Sequence, residues 1–208
     1  MTLHIIDCEQ GSDEWRSARC GIPTASRFSE ILAKGEGRTR AKYLRELAAE
    51  RMRGYPEPDS YSNSHMDRGH EQEAEARALY SMTFANSPVR RVGFIHNGRA
   101  GCSPDSLVGD DGGLEIKSAL GHIQVERIAR GTVPPEHVAQ VQGNIWLAER
   151  EWWDFMSYCP DMQPFVIRAV RDDAYIAKLS EAVDAFNDEL DALVSSIRGV
   201  DQFRRAVA

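Results

Sequence analysis

Apolar residues in this chain switch between helical and strand-like spacing in a fixed order, and that order restricts the fold. Helical spacing extends through Asp67–Met82, and short strand-like runs separated by Gly, Asn and Asp follow over Val89–Lys117. A helical segment after Pro134 precedes two strand-like runs, Trp152–Tyr158 and Phe165–Val170, and a closing amphipathic segment. The order predicts one α/β domain with a mixed central β-sheet flanked by helices.

Charge and cysteine spacing exclude several classes of protein. The formal net charge of −7 argues against a passive DNA coat, because DNA affinity comes largely from basic side chains. An enzyme with an internal DNA channel is less affected, since metal ions in a carboxylate site add positive charge. The four cysteines lie far apart, which predicts reduced thiols rather than a zinc or iron–sulfur site.

Hydrophobicity along the chain indicates a cytoplasmic protein. No apolar run approaches the roughly 20 residues of a membrane-spanning helix. The first residues lack the basic flank and long apolar stretch of a signal peptide. We therefore expect no membrane partner.

One glycine-rich stretch in the middle of the chain carries most of the chemistry. Because side chains alternate along a strand, Glu115 and Lys117 share one face, while Leu114 and Ile116 point to the core. A glycine-rich turn can bring Asp105 back beside Glu115. Two adjacent carboxylates repel each other unless a cation lies between them, and oxygen ligands favour Mg²⁺ or Mn²⁺.

A lysine at this spacing can hold a water near the metal and offset charge on a phosphoryl group. The pattern by itself also matches an exposed hairpin with an ordinary Glu–Lys face, so the residues alone leave both interpretations open.

Six segments in one order extend the pattern over roughly residues 9–175. They are Gln10-Gly-Ser-Asp-Glu-Trp15, Arg19-Cys-Gly-Ile-Pro-Thr-Ala-Ser26, Arg68-Gly-His-Glu-Gln-Glu73, Cys102-Ser-Pro-Asp105, Leu114-Glu-Ile-Lys117 and Ala139-Gln-Val-Gln142. Together they resemble the lambda-exonuclease (YqaJ-type viral recombinase) family, a branch of the Pro-Asp…Asp/Glu-x-Lys nucleases. The resemblance implies a restriction-endonuclease-like core at roughly 66–170, with a C-terminal amphipathic helix at roughly 172–197, in a single exonuclease domain over 1–208.

The resemblance also implies a set of metal ligands. Asp105, Glu115 and the backbone carbonyl of Ile116 would bind Mg²⁺, for which Mn²⁺ would substitute. Lys117 matches the lysine that positions the attacking water.

Two further residues match positions at the family's active site. Glu73 would act on the metal site from beside it, although the residues alone favour a charge paired with Arg77 one turn later. Gln140 would line the site, because it lies off the apolar stripe of its helix. Gln142 has a weaker claim and is expected to be a surface amide.

Arg19, Ser26 and Ser103 match the family's pocket for a DNA 5′-phosphate. Arginine suits phosphate oxygens, and a hydroxyl in the first turn of a helix lies where backbone N–H groups attract an anion. Without the resemblance, Ser26 would be read as a cap and Arg19 as part of a surface ion pair.

Other DNA contacts implied by the resemblance are less defined. Met66 occupies the place of an apolar residue that wedges between bases at the duplex end, but a core Met is an equal alternative. The family sends an arginine toward DNA from the loop that corresponds to Gly35–Arg40. Counting along the loop places Glu36 nearest to the position of the family's arginine. The candidates for this DNA contact are therefore the next arginines, Arg38 and Arg40.

The implied activity is a two-metal-type 5′→3′ exonuclease that degrades one strand of linear double-stranded DNA to 5′-mononucleotides. The 3′ overhang would serve phage-type recombination in a bacterial host, with a single-strand annealing protein as partner and a ring-shaped homotrimer as the assembly. The alternatives are an endonuclease or repair nuclease of the same superfamily and an inactive DNA-end-binding module.

Overall fold

The computed structural model describes residues 3–33, 37–56 and 64–199, and within the last range it describes side chains from residue 72 onward. Its helices are α1 (Asp13–Arg19), α2 (Phe28–Ile31), α3 (Arg38–Arg53), α4 (Ser64–Thr83), α5 (Gly121–Arg130), α6 (Pro135–Leu147) and α7 (Asp173–Arg198). Its strands are β1 (His4–Ile6), β2 (Val89–Arg90), β3 (Phe94–His96), β4 (Gly101–Cys102), β5 (Ser106–Val108), β6 (Gly112–Ser118), β7 (Trp152–Tyr158) and β8 (Phe165–Val170).

The main sheet has five strands in the order β2-β5-β6-β7-β8. Only the central pair, β6 and β7, is parallel, and α5 and α6 form the crossover between these two strands. The other neighbours are antiparallel. This arrangement confirms the predicted α/β fold with a mixed central sheet. A second, three-stranded sheet of β1, β3 and β4 was not predicted.

The main sheet buries apolar side chains on both faces. On one face, Leu114 and Ile116 of β6 pack with Ala76 and Tyr80 of α4, which confirms the predicted direction of these two strand residues. The other face belongs to a larger cluster that includes residues of α2, α3, α6 and α7. A fully buried apolar side chain such as Phe186 stabilises the fold by about 1.5–3 kcal/mol.

Helix α7 buries one apolar stripe and presents acidic residues outside it. Its N-cap Asp172 accepts a hydrogen bond from the backbone N–H of Tyr175 at 2.9 Å. Arg40 of α3 makes a bidentate pair with Glu189 of α7, and Arg51 of α3 pairs with Asp191. Arginines of α3 therefore hold part of the acidic surface in ion pairs.

Three local predictions need correction. The loop predicted over Gly35–Arg40 is wrong at its end, because α3 begins at Arg38 after Gly37 in a left-handed conformation; residues 34–36 lie outside the described part of the chain. The sequence predicts a helix that starts at Pro23-Thr24-Ala25-Ser26, with Thr24 as its N-cap, but this segment is a 3₁₀ turn, Ala25–Arg27, followed by the single turn of α2. Helix α5 was not predicted.

Within the residues described, no helix combines the length and the apolar character needed to cross a membrane. All four cysteines are free thiols, as their spacing predicts.

Candidate active site

Strand β6 places a carboxylate and an ammonium group together beside helix α6. Glu115 is only 2% exposed, so its charge needs partners. The Nζ atom of Lys117 lies 2.7 Å from Glu115 Oε1. Burial opposes the charge on Lys117, but Glu115 and Asp105 more than offset this effect and raise its pKa. The alternation predicted from the sequence therefore brings Glu115 and Lys117 into direct contact.

Asp105 lies immediately before β5 and reaches the edge of β6. Its Oδ2 accepts a hydrogen bond from the backbone N–H of Ile116 at 2.5 Å. Burial raises the pKa of Asp105 well above its usual value, and the charges of Glu115 and Glu73 raise it further against the opposing effect of Lys117. The glycine-rich turn thus returns Asp105 to the neighbourhood of Glu115, as the sequence predicted.

Helix α6 holds the Glu115 carboxylate from the other side. Gln140 Nε2 donates to Oε1 at 2.6 Å, and Asn144 Nδ2 donates to Oε2 at 3.0 Å. The two amides lie four residues apart, so they share one side of the helix. Asn144 was missed by sequence reasoning, and its spacing from Gln140 is the signal that identifies it.

Gln142 points away from this carboxylate. Its amide donates to the Val170 carbonyl and accepts from the backbone N–H of Asp172, which links α6 to the junction of β8 and α7. The side chain is buried, so the predicted surface amide is wrong.

Glu73 on α4 is part of an ion pair and also acts on the site electrostatically. Arg77, one turn later, pairs with Glu73 as the residues alone suggest, and its Nε donates to Ser106 Oγ at 3.1 Å. The charge of Glu73 still contributes to the raised pKa of Asp105. Both interpretations of Glu73 therefore describe part of its environment.

The chemistry of these groups suits a hard divalent cation. Asp105 and Glu115 supply carboxylate oxygens, and their mutual repulsion would be relieved by a cation between them. The N–H of Ile116 points to Asp105, and in a strand the carbonyl of the same residue faces the same edge. No cluster of three or more His, Cys, Asp or Glu with metal-site geometry occurs among the described residues. Two carboxylates and one carbonyl match the few protein ligands that Mg²⁺ takes when it keeps several waters.

A second polar group connects α1 with the loop between β4 and β5. Ser103 Oγ accepts hydrogen bonds from Trp15 Nε1 at 2.9 Å and from Arg19 Nη1 at 3.2 Å. The Arg19 guanidinium also lies 4.0 Å from the centre of the Trp15 ring. A hydroxyl has two acceptor lone pairs, so this geometry leaves the Ser103 proton available to donate. Trp15 is a further residue that sequence reasoning did not assign to the pocket.

Ser26 belongs to the 3₁₀ turn Ala25–Arg27. Its exposed hydroxyl is 3.3 Å from the hydroxyl of Thr24. The backbone of Thr24 forms a bridge with Gly101, two residues before Ser103. The turn that carries Ser26 is therefore packed against the strand that leads to Ser103.

The remaining candidates belong to α3 and α4. Arg40 uses its guanidinium to bind Glu189, and Arg38 is exposed in the first turn of α3. Met66 belongs to α4, but its side chain lies outside the described residues.

Comparison with known proteins places the chain among viral recombinase-type nucleases. A family model described as a YqaJ-like viral recombinase domain matches residues 14–151. Two crystal structures of LHK-Exo, an alkaline exonuclease from Laribacter hongkongensis, one in complex with dAMP, are 38% identical to this chain. The matches cover 90% of this chain and 96% of theirs, with TM-scores of 0.83 for the dAMP complex and 0.82 for the other.

A more distant match shows the fold alone. It is a phage-related exonuclease from Haemophilus somnus 129PT, 18% identical, with a TM-score of 0.60 over 85% of this chain and 96% of its own. A search of curated proteins found no match.

Proposed function

The chain belongs to the YqaJ-like viral recombinase family, and on this premise we propose that it is a Mg²⁺-dependent 5′→3′ exonuclease acting on linear double-stranded DNA. The observation that carries the proposal is the convergence of Asp105, Glu115 and Lys117 at the edge of β6. LHK-Exo, which is an alkaline exonuclease, was crystallised with dAMP. A deoxynucleoside monophosphate is the kind of product that this reaction releases.

The residues of the carboxylate site have separate tasks in this reaction. Asp105, Glu115 and the Ile116 carbonyl would hold Mg²⁺ or Mn²⁺. When bound, the ions of a two-metal-type site neutralise charge on the phosphate and make a water more acidic. Lys117 would orient the attacking water, and Glu73 would accept its proton. Gln140 keeps the Glu115 carboxylate in place through its 2.6 Å hydrogen bond.

The Arg19–Ser103 group accounts for the direction of degradation. A guanidinium and an O–H that can only donate form a suitable pocket for a terminal phosphate, with Ser26 at its rim. Each cleavage creates a new 5′-phosphate that can enter the pocket and advance the duplex by one nucleotide. The products would be 5′-mononucleotides and a 3′ overhang for a single-strand annealing protein in phage-type recombination.

Digestion of linear and closed circular duplex in Mg²⁺ tests the proposal. With one duplex end blocked and each strand labelled separately, we expect loss of the strand whose 5′ terminus lies at the open end, survival of its complement and no attack on the circle. Cleavage of the circle would indicate an endonuclease instead, and tight end binding without digestion would indicate an inactive end-binding module.

The variant that tests the catalytic site is Asp105→Asn, which keeps the size of the side chain but removes its charge. We expect digestion to fall by about 100-fold or more, because a ligand charge is lost. The variant should remain folded by circular dichroism. Substantial digestion by the purified variant would place the active site elsewhere.

A further inference from the structure

Arg127 of α5 contacts the face of the main sheet that carries Glu115 and Lys117. Its Nη1 donates to Ser157 Oγ at 3.0 Å, and its Nη2 lies 3.2 Å from His137 Nε2. Ser157 of β7 is in register with Lys117 of β6, and residues in register on neighbouring strands project from the same face. His137 precedes Gln140 by one turn of α6. The guanidinium therefore contacts the face of the sheet that carries Lys117 and the side of α6 that precedes Gln140.

The position of Arg127 is fixed by groups that carry no negative charge. Ser157 Oγ donates to Gln124 Oε1 at 2.6 Å, so the hydroxyl presents a lone pair to the guanidinium. Burial and the charges of Lys117 and Arg127 together lower the pKa of His137 to about 4, so His137 is neutral near pH 7 and Nε2 can accept a hydrogen bond.

No carboxylate in the described part of the chain contacts Arg127. Arg130, one turn later on the same helix, shows the contrast, because it pairs with Glu126 at 3.1 Å. Burial lowers the pKa of Arg127, and the charges of Glu136 and Glu126 offset only part of this effect. The guanidinium nevertheless stays protonated, because arginine is not deprotonated in proteins. A partly buried cation without a counter-charge is costly unless an anion completes it.

The guanidinium also keeps donors for such an anion. Arginine carries five N–H donors, and the contacts with Ser157 and His137 use one on each terminal nitrogen. A purely structural bridge between these two residues would need only two neutral donors. The remaining N–H groups match the oxygens of a phosphate.

We propose that Arg127 binds a backbone phosphate of the strand being cut, next to the phosphate on which Lys117 acts. The proposal rests on the proposed function, because it requires a DNA strand at this site. Arg127 would then act as a substrate-binding residue that aligns the strand, separate from the 5′-phosphate pocket of Arg19.

DNA binding at a series of salt concentrations tests this role. Wild type, Arg127→Gln and the control Arg130→Gln are compared on a 5′-phosphorylated duplex in Ca²⁺, which replaces Mg²⁺ to prevent digestion. We expect Arg127→Gln to weaken binding about tenfold, the value of one charge-assisted hydrogen bond. The slope of log affinity against log salt should also fall by about 0.7–0.9, because one phosphate contact is lost. Arg130→Gln should keep the wild-type slope and stay within about twofold in affinity.

The salt slope separates phosphate binding from a structural role. An Arg127→Gln variant with the wild-type slope would overturn the proposal even if its affinity fell, because misfolding near the site does not remove one specific ionic contact.

If this variant does not fold, wild-type protein is tested on duplexes with single neutral methylphosphonate linkages in the cut strand. One linkage beside the scissile position should then weaken binding about tenfold, and an equal response at every linkage would overturn the proposal. A wild-type protein that neither binds nor degrades DNA ends refutes the proposed function itself, whereas a normal wild type with an unaffected Arg127→Gln variant refutes only this inference.

Discussion

The two oxygens of the Glu115 carboxylate have different hydrogen-bond partners. Oε1 accepts from Gln140 and is paired with Lys117, whereas Oε2 accepts only from Asn144 among the described side chains. A carboxylate oxygen has two lone-pair positions, so Oε2 keeps one for a cation. Asn144 therefore orients the oxygen that would bind Mg²⁺ under the proposed function.

Asn144→Ala should weaken the response to Mg²⁺. Loss of the amide removes one donor from a buried carboxylate, so we expect about tenfold lower kcat and a higher Mg²⁺ concentration at half-maximal rate. Titration of exonuclease rate with Mg²⁺ measures both. The control is Gln142→Ala on the same helix, whose amide contacts backbone groups of β8 and α7 instead. Equal Mg²⁺ dependence in the two variants would remove the role given to Asn144.

Arg19→Gln should reduce the preference for phosphorylated DNA ends. Wild type should degrade linear duplex with 5′-phosphate ends faster than duplex with 5′-hydroxyl ends, because Arg19 and Ser103 supply donors for the phosphate. We expect the ratio of the rate on 5′-phosphate ends to the rate on 5′-hydroxyl ends to be about tenfold lower in the variant. Arg16→Gln on the same helix is the control, since Arg16 pairs with Asp13. A wild-type enzyme with equal rates on both ends would contradict the pocket assignment.

At the scale of elements, one buried ionic group joins α4 to the main sheet. Asp154 of β7 is 3% exposed, accepts from Tyr80 Oη at 2.6 Å and forms a bidentate pair with Arg168 of β8. The guanidinium of Arg168 also lies 3.5 Å from the centre of the Trp152 ring. Helix α4, which carries Glu73, is thereby held against the strand next to β6.

Tyr80→Phe should destabilise the protein by about 1.5–3 kcal/mol, because it removes a hydrogen bond to a buried charged group. Urea unfolding followed by circular dichroism measures the change in free energy. Tyr175→Phe is the matched control, and no hydrogen bond of its hydroxyl occurs among the described residues; its effect should stay within about 0.5 kcal/mol. A loss of stability no greater than that of the control would show that the Tyr80 hydroxyl contributes little.

Local patterns in the sequence predict the elements that depend on local spacing. Alternation along β6 correctly separates Leu114 from Glu115, and the strand-like runs at β7 and β8 are confirmed. Helix α5 was not predicted although its sequence is amphipathic, and its apolar residues Val125 and Ile128 are exposed in the structure. The four-residue spacing of Asn144 from Gln140 places both amides on one side of α6, but the contact of Asn144 with Glu115 also depends on how α6 packs across the sheet.

At the scale of the whole molecule, two basic groups lie beside the carboxylate site of an acidic chain. Lys117 and Arg127 lie near each other at the ends of β6 and β7, whereas acidic residues of α7 pair with arginines elsewhere. The formal charge of −7 is therefore a poor guide to the potential at the site.

The ring-shaped homotrimer implied by the family resemblance can be tested directly. Light scattering during size-exclusion chromatography should give about three times the chain mass of 23.3 kDa. The measurement is made at several protein concentrations, so that a weak trimer is distinguished from a monomer by its dilution behaviour. A constant single-chain mass would contradict the ring and leave the chemistry of the carboxylate site unaffected.

Trp15 and Arg19 donate to both lone pairs of Ser103 Oγ, and this geometry bears on how the pocket would distinguish a DNA end from an interior linkage. A terminal phosphate monoester carries nearly two negative charges above its second ionisation near pH 6, whereas an internal diester carries one. The Ser103 hydroxyl can only donate a further hydrogen bond, and together with the Arg19 guanidinium it favours the doubly charged phosphate. Discrimination between ends and interior linkages would thus depend on the ionisation of the substrate, and acidification below the second ionisation of the terminal phosphate would reduce it.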